Sequence, residues 1–145
     1  MQVPVLGETT GVARALADNH AAAWAAVEPR LLELARLRIA QLLGHDGELA
    51  RRTPGATGPV LDDDTVAALS SWPSSDRFDG RDRAVLAFVE QYVLDVATVT
   101  DEQVATLVEH LGAPGVSDFV HGVLVVEQRM RLTLAWQRLG LEAIA

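Results

Sequence analysis

Between Pro29 and Gly44 the chain reads PRLLELARLRIAQLLG, with apolar residues recurring at helical spacing between two residues that punctuate helices. Proline suits a first helical turn because the N–H it lacks would have had no partner there, and glycine suits the residue after the last turn. The same grammar repeats along the sequence. Val12, Leu16, Ala23 and Val27 predict a first helix, with Thr9 or Thr10 as its cap. Behind Asp79, the segment GRDRAVLAFVEQYVLDVATV places Val85, Leu86, Phe88, Val89, Tyr92, Val93 and Val96 on one broad stripe. Thr100 and Gln103 form a capping-box pattern for DEQVATLVEHL, which Gly112 ends, and Pro114 opens a last helix that runs to Gly140. Shorter helices are predicted after Asp46, as its cap, and in LDDDTVAALSSW, with the breaker-rich loop TPGATGP between them. No segment alternates with the period of a strand. The expectation is an all-α fold of six to seven helices in one domain over residues 1–145. Gly122, inside the last helix, costs about 1 kcal/mol against alanine, so it predicts a close helix contact.

Composition narrows the class further. Hydrophobic residues make up 49% of the chain and aromatics only 5%, so the interior must be built from leucine, valine and alanine. At 145 residues such a chain buries a core without covalent staples. Acidic residues outnumber basic ones by 20 to 12, and the basic ones are scattered, which argues against nucleic acid as a partner. There is no cysteine, which excludes disulfides, thiolate metal sites and thiol nucleophiles together. The start MQVPVLGETT has no basic region leading into an apolar run, and no window approaches the roughly 18 apolar residues of a membrane span. A cytoplasmic protein with no membrane partner is expected. HExxH, glycine-rich phosphate loops and Gly-x-Ser-x-Gly are all absent, and His45, Asp46 and Glu48 fit no metal-site spacing, so neither cofactor nor metal is expected.

The chemistry-bearing residues gather around LLGHDGELARR, residues 42–52. Glu33, just upstream, reads either as a surface partner of Arg36 or as a partly buried carboxylate serving as general base. His45 and Glu48 stand three apart across a helix start, so imidazole and carboxylate are in reach for proton transfer near neutrality, and Arg52 one turn on could grip an anion. The plainer alternative leaves His45 and Glu48 in solvent while Gly44 stops one helix and Asp46 caps the next. His121, beside Gly122, is an interior residue or a substrate contact. Trp72 before Pro73 closes a pocket or anchors its loop. Glu127 and Arg131 are spaced as an i,i+4 pair, and His20 and Trp24 share a face of the first helix as packing residues.

Three blocks carry a family resemblance: ELARLRIAQLLG (33–44), LSSWPSSDRFDGRDRAVLAFVE (69–90), and VTDEQVATLVEHLG followed by a long helix containing Arg131, with Glu127 where an asparagine is common. Together they resemble the alkylhydroperoxidase (AhpD-like) and carboxymuconolactone decarboxylase family. The resemblance implies an all-helical protomer that assembles into trimers or hexamers. In the peroxidase branch a Cys-x-x-Cys follows the motif helix, with a histidine four residues after it and a glutamate twelve before it. Here only the glutamate, Glu33, matches; His45 and Glu48 occupy the cysteine positions and Arg52 the histidine position. The decarboxylase branch also works without cysteines, and its GREEEL-type segment is similar to GHDGEL, although a histidine is expected where Arg52 stands. The expected function is therefore acid/base chemistry without redox, such as decarboxylation, isomerisation or cyclisation of a small organic acid or lactone. Glu33, His45 and Glu48 are the candidate catalytic residues, and Arg52, Trp72 and His121 the candidate substrate contacts. The alternative is a noncatalytic homo-oligomer of the same fold that binds a ligand or scaffolds a partner.

Overall fold

The computed structural model describes residues 11–140, and the expected Thr9 or Thr10 cap lies outside them. The element order is α1 (Gly11–Ala26), α2 (Pro29–Leu43), α3 (Asp46–Ala50), a minute hairpin of β1 (Pro54–Gly55) and β2 (Gly58–Pro59), α4 (Asp63–Ala68), α5 (Gly80–Asp95) and α6 (Asp101–Arg138). Tight 3-10 turns follow α4 (Leu69–Ser74) and α5 (Val96–Thr98).

Helix α2 is the axle. It packs against α5 and α6, while α1 lies along α6. Every residue from Leu31 to Leu37 is buried, so the helix is enclosed on all sides and presents no solvent face at mid-length. Leu31, Leu32, Ala35 and Ile39 meet Val85, Phe88 and Val89 of α5 and Phe119, Val123, Val126 and Met130 of α6 in the main core. On the other side, Leu34 and Leu37 join Leu61, Leu69, Trp72, Phe78 and Leu86 in a second cluster. The ring of Phe88 links α5 to α6 by an edge contact with Phe119, centroids 6.1 Å apart.

The punctuation acts largely as its chemistry dictates. Pro29 lies in the first turn of α2, and Gly44 ends it in the left-handed conformation at φ 68°. The Asp62 side chain caps α4 through the Thr65 N–H at 2.7 Å, and Asp79 with Asp82 closes a reciprocal capping box on α5. Thr100 and Gln103 do the same for α6. Gly112, at φ 71° and ψ 160°, breaks α6 into the two helices read from the sequence. A Cβ on Gly122 would stand 2.9 Å from Val27 Cγ2 and 3.4 Å from Leu32 Cδ1, so the absence of a side chain lets α6 seat against the α1–α2 corner.

Four local readings are revised. Val12 is 68% exposed and Leu16 39%, because only the second half of α1 reaches the core. Val96, 61% exposed, falls beyond the end of α5 and leaves its stripe. The loop TPGATGP contains a short antiparallel pairing, Pro54 with Pro59 and Gly55 with Gly58, that no period-2 pattern announces. Finally, Asp46 is the first residue inside α3 and not its cap; the capping side chain is that of His45. Among the described residues, no helix is long and apolar enough to cross a membrane.

Candidate active site

The α2–α3 corner is built by Gly44. Its left-handed turn lets the His45 N–H return to the Ala40 carbonyl at 2.9 Å, which swings the imidazole inward until the residue is 3% exposed. Nδ1 of that ring accepts the Glu48 N–H at 3.3 Å, capping α3. Nε2 lies 2.8 Å from Thr133 Oγ1 on α6, and the threonine hydroxyl donates to the Met130 carbonyl at 3.1 Å. With its own proton committed, the hydroxyl accepts from Nε2–H. His45 is thus held as the neutral Nε2–H tautomer with both ring nitrogens satisfied.

Arg36 is the hub of this corner. Its Nη1 donates to the Glu48 carbonyl and to Glu48 Oε2, both at 2.8 Å, and its Nη2 donates to the Arg51 carbonyl at 2.8 Å. The guanidinium therefore satisfies carbonyls at the C-terminal end of α3 as well as a carboxylate. On its other side, Nε donates to Glu33 Oε1 at 2.9 Å, and Nη2 reaches the same oxygen. Arg51 Nη1 completes Glu48 through Oε1 at 3.1 Å. Two carboxylates and one guanidinium, at 1%, 6% and 4% exposure, are therefore buried together, where their attraction and hydrogen bonds must offset the loss of hydration. One atom stands apart. Glu33 Oε2 is buried and has no hydrogen-bond partner. An acceptor left in that state costs roughly 1–3 kcal/mol.

Glu33, His45 and Glu48 thus lie together, although the imidazole bonds the main-chain N–H of Glu48 and not its carboxylate. The other three sequence candidates lie elsewhere. Arg52 donates to the Leu49 carbonyl at 2.5 Å and approaches Asp63 Oδ1 at 3.6 Å, tying α3 to the start of α4. Trp72 is buried in the second core, its Nε1 donating to Glu90 Oε1 at 2.7 Å. His121 is exposed, with Nδ1 2.7 Å from its own helix's Ser117 carbonyl. Glu127 and Arg131 pair at 2.6 Å on the partly exposed side of α6. Among the described residues no three His, Cys, Asp or Glu side chains are grouped to hold a metal ion.

Sequence reasoning treated Arg36 as a surface partner and missed its place at the centre. The signal was available in ELARLRIA: a helix apolar nearly all round cannot leave its charged residues in water. His20 and Trp24 do pack together on α1, their ring centroids 6.4 Å apart. Trp24 Nε1 donates to His20 Nε2 at 3.3 Å, and burial, followed by the charge of Arg129, pulls the imidazole pKa below its ordinary value.

Among solved structures the chain is similar to ATU0492 from Agrobacterium tumefaciens, a protein of unknown function bearing the provisional name antioxidant defence protein AhpD. It has a TM-score of 0.74 and 16% identity, covering 93% of this chain and 94% of that one. The fold is AhpD-like. No family model and no curated protein matches the sequence. Within this AhpD-like scaffold the corner after α2 contains no sulfur nucleophile, since the chain has no cysteine, and its polar residues are two carboxylates, an imidazole and a guanidinium.

Proposed function

We propose that this AhpD-like protein is a non-redox acid/base enzyme acting on a small organic acid or lactone, with Glu33 as the group that moves the proton. The observation behind this reading is Glu33 Oε2, the one buried side-chain oxygen or nitrogen among the described residues with no partner. Oε1 is pinned by Arg36, so the carboxylate cannot turn away, and the open lone pairs of Oε2 are held in place for a proton. In the step proposed, a C–H beside the substrate carbonyl gives its proton to Oε2 while the bond's electron pair passes into an enolate. The same carboxylic acid then returns the proton to a different carbon, or to the original one, completing isomerisation or exchange. Glu48 positions Arg36, and His45 holds α3 in place through its cap and its bond to Thr133. Helix α3, only five residues long, is the cover: its displacement is what admits a small molecule to Oε2.

The test is incorporation of deuterium from D2O into a panel of small carboxylic acids and lactones, followed by proton NMR with native protein and with Glu33→Gln. Loss of a general base lowers the rate by about 100-fold or more. Native-rate exchange in Glu33→Gln would mean that another group moves the proton, and exchange no faster with native protein than without it would favour the second reading, a noncatalytic homo-oligomer. That reading is supported by apolar side chains left on the surface, Leu94 at 69% and Val96 at 61% among them.

A further inference from the structure

The Arg36 guanidinium divides its five N–H groups between two helices. Two of them, on Nε and Nη2, fall on Glu33 Oε1 of its own α2. The other three reach across to α3 and the residue that ends it: Nη1 donates to Glu48 Oε2 and to the Glu48 carbonyl, and Nη2 to the Arg51 carbonyl, each at 2.8 Å. Every donor is used, and most of them hold one short helix. Apart from the His45 cap and its bond to Thr133, little else fastens it. Of the five residues of α3 only Glu48 is buried, and Leu49 adds a half-buried apolar side chain. What α3 inserts into the protein is therefore chiefly a carboxylate. Arg36 Nη1 meets its Oε2 at 2.8 Å and Arg51 Nη1 its Oε1 at 3.1 Å. Guanidinium donors on both oxygens are how a protein grips a free carboxylate.

We propose that Arg36, joined by Arg51, is a carboxylate-binding site, and that the Glu48 side chain fills it in the closed state where the carboxylate of a small molecule sits in the open one. The proposal rests on the acid/base reading and deepens it by naming the group that anchors the acid. Swinging α3 aside uncovers Glu33 Oε2, and the same motion strips three acceptors from a guanidinium that is 4% exposed. Those N–H groups then need new partners. A ligand carboxylate supplies them together with the negative charge that leaves with Glu48, so the buried cluster keeps its balance. Arg36 thereby takes the role expected of Arg52, whose guanidinium is turned to Leu49 and Asp63.

The experiment follows thermal melts of the full chain, native and Glu48→Ala, during titration with sodium acetate at an ionic strength held constant with sodium chloride, with acetamide as the uncharged control. Removing the Glu48 side chain frees the place between the two guanidiniums, so the melting temperature of Glu48→Ala should rise saturably with acetate and hardly at all with acetamide. The native chain should need about tenfold more acetate or above for the same response, because its own carboxylate competes. Adding Arg51→Gln to Glu48→Ala should weaken the response, and adding Arg14→Gln, on an exposed residue of α1, should not. If Glu48→Ala does not melt cooperatively, Glu48→Gln, which keeps an acceptor for Arg36, gives the same reading: its acetate affinity, followed by NMR of the histidine ring protons, should exceed that of the native chain. An equal acetate response in the native and Glu48 variants, an equal response to acetamide, or no saturable response in any of them would overturn the proposal. Acetate binding without Glu33-dependent exchange defeats only the catalytic reading, and Glu33-dependent exchange without an acetate response in the Glu48 variants defeats only the anchor.

Discussion

Helix α2 makes guanidinium–carboxylate junctions with the rest of the chain through Arg30, Arg36 and Arg38, and the first two differ by one oxygen. Near its start, Arg30 grips Asp82 of α5 in a fork, Nε to Oδ1 at 3.1 Å and Nη2 to Oδ2 at 2.7 Å, and the Asp79 N–H adds a third bond at 3.4 Å. Both oxygens of Asp82 are used, and the pair orients α5 against α2. At mid-helix Arg36 joins Glu33 and Glu48, but Glu33 has an oxygen to spare. A junction that serves only to hold helices has no reason to retain a buried, unpartnered acceptor. The contrast teaches that satisfaction, and not burial or charge, separates a strut from a candidate working group in this fold.

The comparison is most severely strained at Arg36. Replacing it with methionine leaves Glu33 buried without a cation and Glu48 with Arg51 alone, and urea denaturation should report a loss of about 3–5 kcal/mol, enough to unfold a marginal domain. A loss under about 1 kcal/mol would mean that water reaches the corner and that Glu33 is not the buried group described. The smallest expected effect concerns His20. Its folded pKa lies below the ordinary 6.5, so as the pH falls the folded chain takes up this proton later than the unfolded chain does. The associated stability is complete above pH 6.5 and declines as the pH falls below it toward the folded value. His20→Gln should flatten the stability–pH curve in that window and leave it unchanged at pH 8, as read by thermal melts across the range.

Much of the architecture was legible because it rests on local chemistry. Pro29, Gly44, Asp79, the Thr100–Gln103 box and Gly112 each act within a few residues of themselves, and periodicity supplied the rest. What could not be read was which helix would be enclosed. The sequence marks one apolar stripe on α2, but α5, α6 and the Leu61–Phe78 segment converge on it from different sides, and that convergence drives Glu33, Arg36, His45 and Glu48 inward together. The cap of α3 was misread for a related reason. Asp46 is the better cap by propensity, but Thr133, distant in sequence, recruits the His45 ring and shifts the helix start by one residue.

The central claim is that the Glu33 carboxylate is retained for its open oxygen, as the Asp82 carboxylate is retained for its bonds. Urea denaturation of Glu33→Gln and Asp82→Asn side by side tests it most directly. In the first variant Gln can still accept from Arg36, Arg36 keeps Glu48, and one orphaned polar atom replaces another, so stability should stay within about 1 kcal/mol of native. In the second, an amide N–H₂ must face a guanidinium or main-chain donor, and about 1–3 kcal/mol should be lost. If Glu33→Gln loses as much as Asp82→Asn or more, Glu33 is a strut like its counterpart and the claim fails.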